Sequence, residues 1–285
     1  MNNELPDIQQ TEPMVKIPLR EVGVENVEVP FKLESFDKVK RYNEMVANVS
    51  MRANINKNTK GVSMSRFLLT LKKYLNEPLK HWLIKDILID LKKNVESKSS
   101  FIKFEFKLPS NINSIKSDNS FPLYFDCMFE GRLENDKFRF FQGITIQYAS
   151  YCPCSAELSR DLLYKGESMG FPHAQRSFAK ILIEVKEPNI VWLEEIIYMV
   201  YSVIKTKPYP IIKRVDEQEI ARVASNNPLF VEDACRLISR RLDENNKVYD
   251  WVIKCIHEES IHTSEAIAIN WKGREGGLTG TSYYL

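Results

Sequence analysis

The 285-residue chain is 44% hydrophobic and 27% charged, a globular balance with enough apolar mass for one large core or two moderate ones. Its 40 Lys and Arg against 38 Asp and Glu leave a net charge of +2, which offers no bulk field to nucleic acid or an anionic membrane, so an anionic ligand needs a local site. The polar, acidic start, the lack of any stretch near the roughly 20 apolar residues of a membrane span, and five cysteines of which only Cys152 and Cys154 are close together predict a cytoplasmic chain with reduced thiols.

β-branched and apolar residues mixed with polar ones predict strands over 24–34 and 44–55, followed by a turn at 58–61. Apolar residues at helical spacing predict helices over 63–76 and 79–93, the second with Leu83, Ile87 and Leu91 as one stripe. Residues 101–107 alternate Ile102, Phe104 and Phe106 with Lys103 and Glu105, and the β pattern resumes over 124–133 and 137–150. The Ser- and Asn-rich stretch 111–120 between them reads as an exposed loop. In the second half a strand over 177–185, helices over 192–205 and 227–242, and strands over 248–258 and 262–271 repeat the order, so two copies of one α+β module are predicted. Residues 168–172 carry Gly and Pro just ahead of His173.

Cys152, Pro153, Cys154 and Ser155 sit where a strand ends and a helix-competent segment begins, a place where backbone N–H groups favour a thiolate. Spacing alone fits two small buried cysteines equally well, and a closed zinc site would need ligands from elsewhere. Of the four histidines, His173 and His262 lie in polar surroundings, although a lone histidine is more often idle or structural than a ligand. Asp216 and Glu217 follow Lys213 and Arg214, and Glu232 and Asp233 open a helix after Asn227 and Pro228. Charge compensation at a helix N-terminus accounts well for Asp233 and less well for Glu232. Alternation puts Tyr249, Trp251, Ile253, Cys255, His257 and Glu259 on one strand face before a turn at 260–262, so Glu259 and His262 converge at a strand end. Thiolate, imidazole and carboxylate together suit zinc, manganese or ferrous iron with a position open for water.

Taken in order, LPDIQQ, VGVENVEVPF, KGVSMSRF, YCPCS, HAQRS, KRVDEQ, NPLFVED and ESIH resemble the signature segments of the GTP cyclohydrolase IB family, over nearly the whole chain. The resemblance implies an α+β bimodular tunnelling fold, two antiparallel-sheet modules each backed by helices. It places an N-terminal arm over 1–20, a first module over 21–150 and a second, with most active-site residues, over 151–285. It also implies a homotetramer with active sites at subunit interfaces, GTP as substrate, and neither nucleic acid nor membrane as partner. One divalent metal ion (Zn, Mn or Fe) is then expected on Cys154, His173, Glu217, Glu259 and His262, with Cys154, His173 and His262 catalytic. Glu232 would anchor guanine, and Arg66, Gln175, Arg176, Lys213 and Arg214 are candidates for triphosphate contacts.

The implied reaction is metal-assisted hydrolysis of GTP that releases formate and gives 7,8-dihydroneopterin triphosphate, a first step of pterin- and folate-type biosynthesis. Three features depart from the pattern. Ser63 stands where relatives usually carry histidine, HTSEAIAIN after the last motif is poor in histidine, and the interval from Cys154 to His173 is long, predicting an inserted turn around 165–170. The alternatives are a cyclic-phosphate product, a catalytically idle purine- or pterin-binding protein, and a structural metal site without a reaction. The retained ligand set argues against the idle protein.

Overall fold

A computed structural model of the chain describes residues 8–36, 42–167 and 171–282. After a 3-10 turn (Ile8–Gln10), β1 (Leu19–Glu34) and β2 (Tyr42–Ile55) pair antiparallel. Both strands run longer than predicted because the ladder continues where the outer side chains are polar. β1 shifts register between Val24 and Val27, where Asn26 takes a φ of 58°. Gly23 has no room for a side chain, since a Cβ there would lie 1.8 Å from the Met51 carbonyl oxygen. α1 (Met64–Lys72), a two-residue β3 (Pro78–Leu79) and α2 (His81–Asn94) follow, and α1 stops short of the predicted residue 76.

Three long strands come next, β4 (Ser99–Asn113), β5 (Ser120–Glu134) and β6 (Lys137–Tyr151). The remaining elements are α3 (Pro153–Tyr164), β7 (Ala174–Val185), α4 (Leu193–Val203), α5 (Arg214–Asn226), α6 (Val231–Glu244), β8 (Val248–His257) and β9 (Ala266–Trp271). The chain divides into two compact units, residues 1–107 with 128–141, and residues 108–127 with 142–285, so β4, β5 and β6 supply residues to both.

In the first unit the strand order is β3-β1-β2-β4-β5-β6. The predicted alternation of β4 holds, with Ile102, Phe104 and Phe106 buried. α2 buries Ile84, Ile87, Leu88 and Leu91, a stripe one position round from the predicted one, and Leu83 is only half-buried. It lies so close over β5 that a Cβ at Gly131 would be 2.4 Å from Ile84. Each such aliphatic or aromatic side chain removed from water contributes about 1.5–3 kcal/mol.

In the second unit the order is β4-β5-β6-β7-β8-β9. β7 pairs antiparallel with β8 from Ser177 opposite His257 to Val185 opposite Val248. β8 ends at His257, so Glu259 lies beyond the strand and not on the face predicted to carry it, and the strand is buried on both faces, with Tyr249 its only exposed residue. α6 covers this region with Val231, Ala234, Cys235, Ile238, Ser239 and Leu242.

Other expectations need correction as well. β9 begins only at Ala266, leaving 258–265 as turn, and α6 begins at Val231 rather than 227. α5 is absent from the predicted elements, because its sequence has no long apolar stripe. The predicted exposed loop shrinks to 114–119 and is bonded to α5. At the expected inserted turn, α3 ends at Tyr164 with Lys165 as its C-cap and Gly166 takes a φ of 73°, while residues 168–170 and 1–7 fall outside the described residues. Among the described residues no helix is long and apolar enough to cross a membrane.

Candidate active site

β6 ends at Tyr151, and Pro153 takes the first position of α3, where its fixed φ suits a helix start and its missing N–H is not needed. Cys152 is thereby the half-buried N-cap and Cys154 an exposed residue of the first turn. His173 is stitched to this turn by its backbone. Cys152 N–H donates to the His173 carbonyl at 3.3 Å, and His173 N–H donates to Ser155 Oγ at 3.2 Å. The His173 side chain is set from the other side, with Nδ1 3.0 Å from Oε1 of the buried Gln175. An amide oxygen only accepts, so Nδ1 is the donor in this contact and Nε2 is left for other partners.

The β7–β8 ladder brings the last motif to the same place. Beyond the Ser177–His257 pair, Glu258 N–H donates to the carbonyl of the exposed Arg176 at 3.0 Å. The chain then turns, His262 N–H donating to the Glu259 carbonyl at 3.3 Å, with His262 Nε2 3.8 Å from Glu259 Oε2. His262 is exposed and Glu259 half-buried. α6 is anchored there too, because Leu229 N–H donates to the Tyr151 carbonyl at 2.9 Å. Glu232 is exposed in the first turn of α6, whereas Asp233, in the same turn, forms an i,i+3 ion pair with Arg236 at 2.5 Å.

Beneath these groups the strands bury a polar layer that sequence reasoning did not single out. Tyr148 Oη lies 3.0 Å from His257 Nε2, and the Ser150 and Ser177 hydroxyls are 2.7 Å apart. Burial pulls the His257 pKa down to about 4, against the opposing charge of Glu232. Burial, and then neighbouring Cys255, push the Tyr148 hydroxyl well above its ordinary value. The available signal was a polar residue in an otherwise apolar stripe, which reads as strand patterning until the packing is known.

Lys213 is the N-cap of α5, and Arg214 and Glu217 are exposed in its first turn. Arg66 belongs to the first unit, where its guanidinium donates to the Asn94 carbonyl at 3.1 Å. Ser63 caps α1 through its backbone only. The second unit thus gathers Cys154, His173, Gln175 and Arg176 with the Glu259–His262 pair and the start of α6. Among the described residues, no three His, Cys, Asp or Glu side chains form one cluster able to hold a metal ion.

Comparison with known proteins gives the family and the fold. The family model described as type I GTP cyclohydrolase folE2 matches residues 5–268. The chain is 30% identical over 291 residues to GTP cyclohydrolase FolE2 of Hydrogenovibrio crunogenus, covering 93% of both. It is 28% identical over 275 residues to GTP cyclohydrolase FolE2 of Cereibacter sphaeroides, covering 94% of this chain and 76% of that one. Among solved structures it is similar to uricase from Arthrobacter globiformis, with a TM-score of 0.56 at 7% identity over 92% of this chain and 96% of that one. A Bacillus sp. TB-90 urate oxidase mutant gives 0.53 at 10% identity over 90% and 100%. At such identities the likeness shows the fold alone, the α+β tunnelling fold. With the family match spanning nearly its whole length, the chain belongs to the type I GTP cyclohydrolase folE2 family.

Proposed function

We propose that this GTP cyclohydrolase opens the imidazole ring of GTP by hydrolysis, releases formate and closes the remainder to 7,8-dihydroneopterin triphosphate. The site would lie on the second unit, around the start of α3 and the paired ends of β7 and β8. The observation that carries this reading is the fixing of His173 between the first turn of α3 and the Gln175 amide.

That arrangement fits a resident divalent metal. A metal-ligating histidine almost always donates its other ring N–H to a fixed acceptor, as His173 does to Gln175. Cys154, His173, Glu217, Glu259 and His262 would hold the ion, of zinc, manganese or ferrous type. When bound it supplies a Lewis acid that makes water nucleophilic near neutral pH. Since the described residues gather no complete cluster, a second copy of the chain is proposed to complete each set, in a homotetramer with interfacial sites. Each copy would carry an arm over 1–20 and tunnelling-fold modules over 21–150 and 151–285.

The remaining groups bind and move protons. Glu232 accepts the ring N–H and amino hydrogens of guanine, and an adenine edge would leave that carboxylate without its donors. Arg176, Lys213 and Arg214 hold the triphosphate, and Arg66 still has guanidinium N–H groups to offer beyond the one given to Asn94. Gln175, also a triphosphate candidate, holds the His173 ring through Nδ1. His262, exposed beside Glu259, transfers protons during ring opening.

The test is to incubate the purified chain with GTP under reducing conditions, supplying Zn²⁺, Mn²⁺ or Fe²⁺ separately, and to follow formate and the fluorescence of the oxidised pterin. Wild type is expected to form both products, and Cys154→Ala neither. Metal and GTP binding without formate under every ion would overturn the reading.

A further inference from the structure

We propose that Asp216 is a positioning residue for this reaction, a buried carboxylate that ties the turn between β4 and β5 to the first turn of α5 and so sets the directions of Lys213, Arg214 and Glu217. This rests on the reading above, because those three side chains are taken to be site residues.

Asp216 is the third residue of α5 and is 0% exposed. Its Oδ1 accepts the backbone N–H of Lys116 at 2.8 Å and of Ser117 at 2.9 Å. Its Oδ2 accepts the Ser117 hydroxyl at 2.6 Å and the Lys213 N–H at 2.7 Å. These four bonds use the acceptor capacity of the carboxylate, and three of them come from a turn about 100 residues away in sequence. The turn is braced independently. Ser114 Oγ donates to the Ile211 carbonyl at 2.6 Å, Ser114 N–H to the Asn119 carbonyl at 2.8 Å, and Asn119 Nδ2 to Ser117 Oγ at 2.9 Å.

Helix capping alone does not call for this. An ordinary acidic residue at the third helical position reaches back to the N-cap N–H from the surface, as Asp216 does to Lys213. Here the carboxylate is withdrawn from water and satisfied by neutral donors, an expensive placement that tolerates few alternative geometries. Successive helical side chains diverge by about 100°. An inward Asp216 therefore turns Arg214 and Glu217 outward, and both are exposed. The turn and the helix also wall one cleft, lined by Ile115 of the turn, Ile220 and Val223 of α5, and Tyr151 and Thr206. Tyr151 adjoins Cys152, so a shift of α5 would be felt where the site begins.

The test uses the full chain with Asp216→Asn, Ser117→Ala and Ser117→Thr, read by amide hydrogen exchange over 114–119 and 213–217 and by GTP kinetics well below the melting temperature. Asp216→Asn is expected to open both segments together and to lower kcat/KM by roughly 10- to 100-fold, the scale of small misplacements around a reacting centre. Displaced Lys213 and Arg214 raise KM and a displaced Glu217 lowers kcat, whereas a purely structural role would shift the melting temperature and leave both constants in place. Ser117→Ala follows the same pattern more weakly and keeps the test open if Asp216→Asn does not fold, and Ser117→Thr restores the wild-type values. Joint opening with kcat/KM within about twofold of wild type would overturn the proposal. If wild type forms no formate, the reaction reading fails separately. The clamp is then decided by exchange: joint opening upholds it, and opening of one segment alone overturns it.

Discussion

The first unit builds its core around a chain of aromatic side chains with fewer buried polar groups, whereas the second buries more polar groups, several of them in pairs. In the first, Phe31 and Phe106, Phe106 and Phe129, and Phe129 and Phe140 have ring centroids 5.2, 5.2 and 5.5 Å apart. Two of its buried hydroxyls donate to nearby backbone, Thr70 to Arg66 at 2.7 Å and Ser100 to Leu88 at 2.9 Å. In the second unit, Tyr148, Ser150, Gln175, Ser177, Asp216, Asp250 and His257 are all buried. Asp250 accepts the Trp251 and Leu278 N–H groups at 2.9 and 2.7 Å and so pins the C-terminal segment. A buried polar group is costly unless it is paired, and a core that needed only stability would have apolar residues at most of these positions. Many of the pairs lie under or beside the start of α3 and the ends of β7 and β8. On the proposed reading, the first unit serves mainly as scaffold and the second gives up apolar burial to place the chemistry.

That contrast can be broken or sharpened by measurement. The largest effect is expected from Phe106→Ala, at the centre of the aromatic chain, which should destabilise by about 3–5 kcal/mol in a denaturant titration. Its kcat for GTP should stay unchanged where the protein is folded, and a large loss of kcat would mean that the first unit is more than scaffold. Next comes acid. The folded-state pKa of His257 is about 4 against an ordinary 6.5, so the unfolded chain takes up its proton first as pH falls. The stability from keeping this ring neutral is present above pH 6.5 and is lost progressively towards pH 4, by about 3 kcal/mol in all. His257→Gln should flatten that part of the wild-type stability curve, and an unchanged slope would show that another group is responsible. Smallest is Tyr148→Phe, which strands the His257 ring nitrogen and should cost about 1–3 kcal/mol by thermal or chemical unfolding. A cost near zero would mean that the pair contributes nothing net.

Much of this protein was legible before any packing was known. The alternation of Ile102, Phe104 and Phe106, the helical spacing of Ile87 and Leu91 in α2, and the helix start after Cys152 are local patterns, set by side-chain period and by proline geometry within a few residues. The motif order from YCPCS to ESIH pointed to the family in the same way, since it depends on residue identity and spacing alone. What only the tertiary structure decided lies at long sequence separation. α5 has no strong apolar stripe, and its N-terminus is held by a carboxylate whose partners in the 114–119 turn lie about 100 residues away. The burial of β8 on both faces, with His257 turned into the layer beside Tyr148, depends on strands that the sequence separates by 109 residues. Periodicity reports what a segment does to its own neighbours. Which polar groups are shut away from water, and so which are fixed well enough to organise a site, depends on segments that meet only in the folded chain.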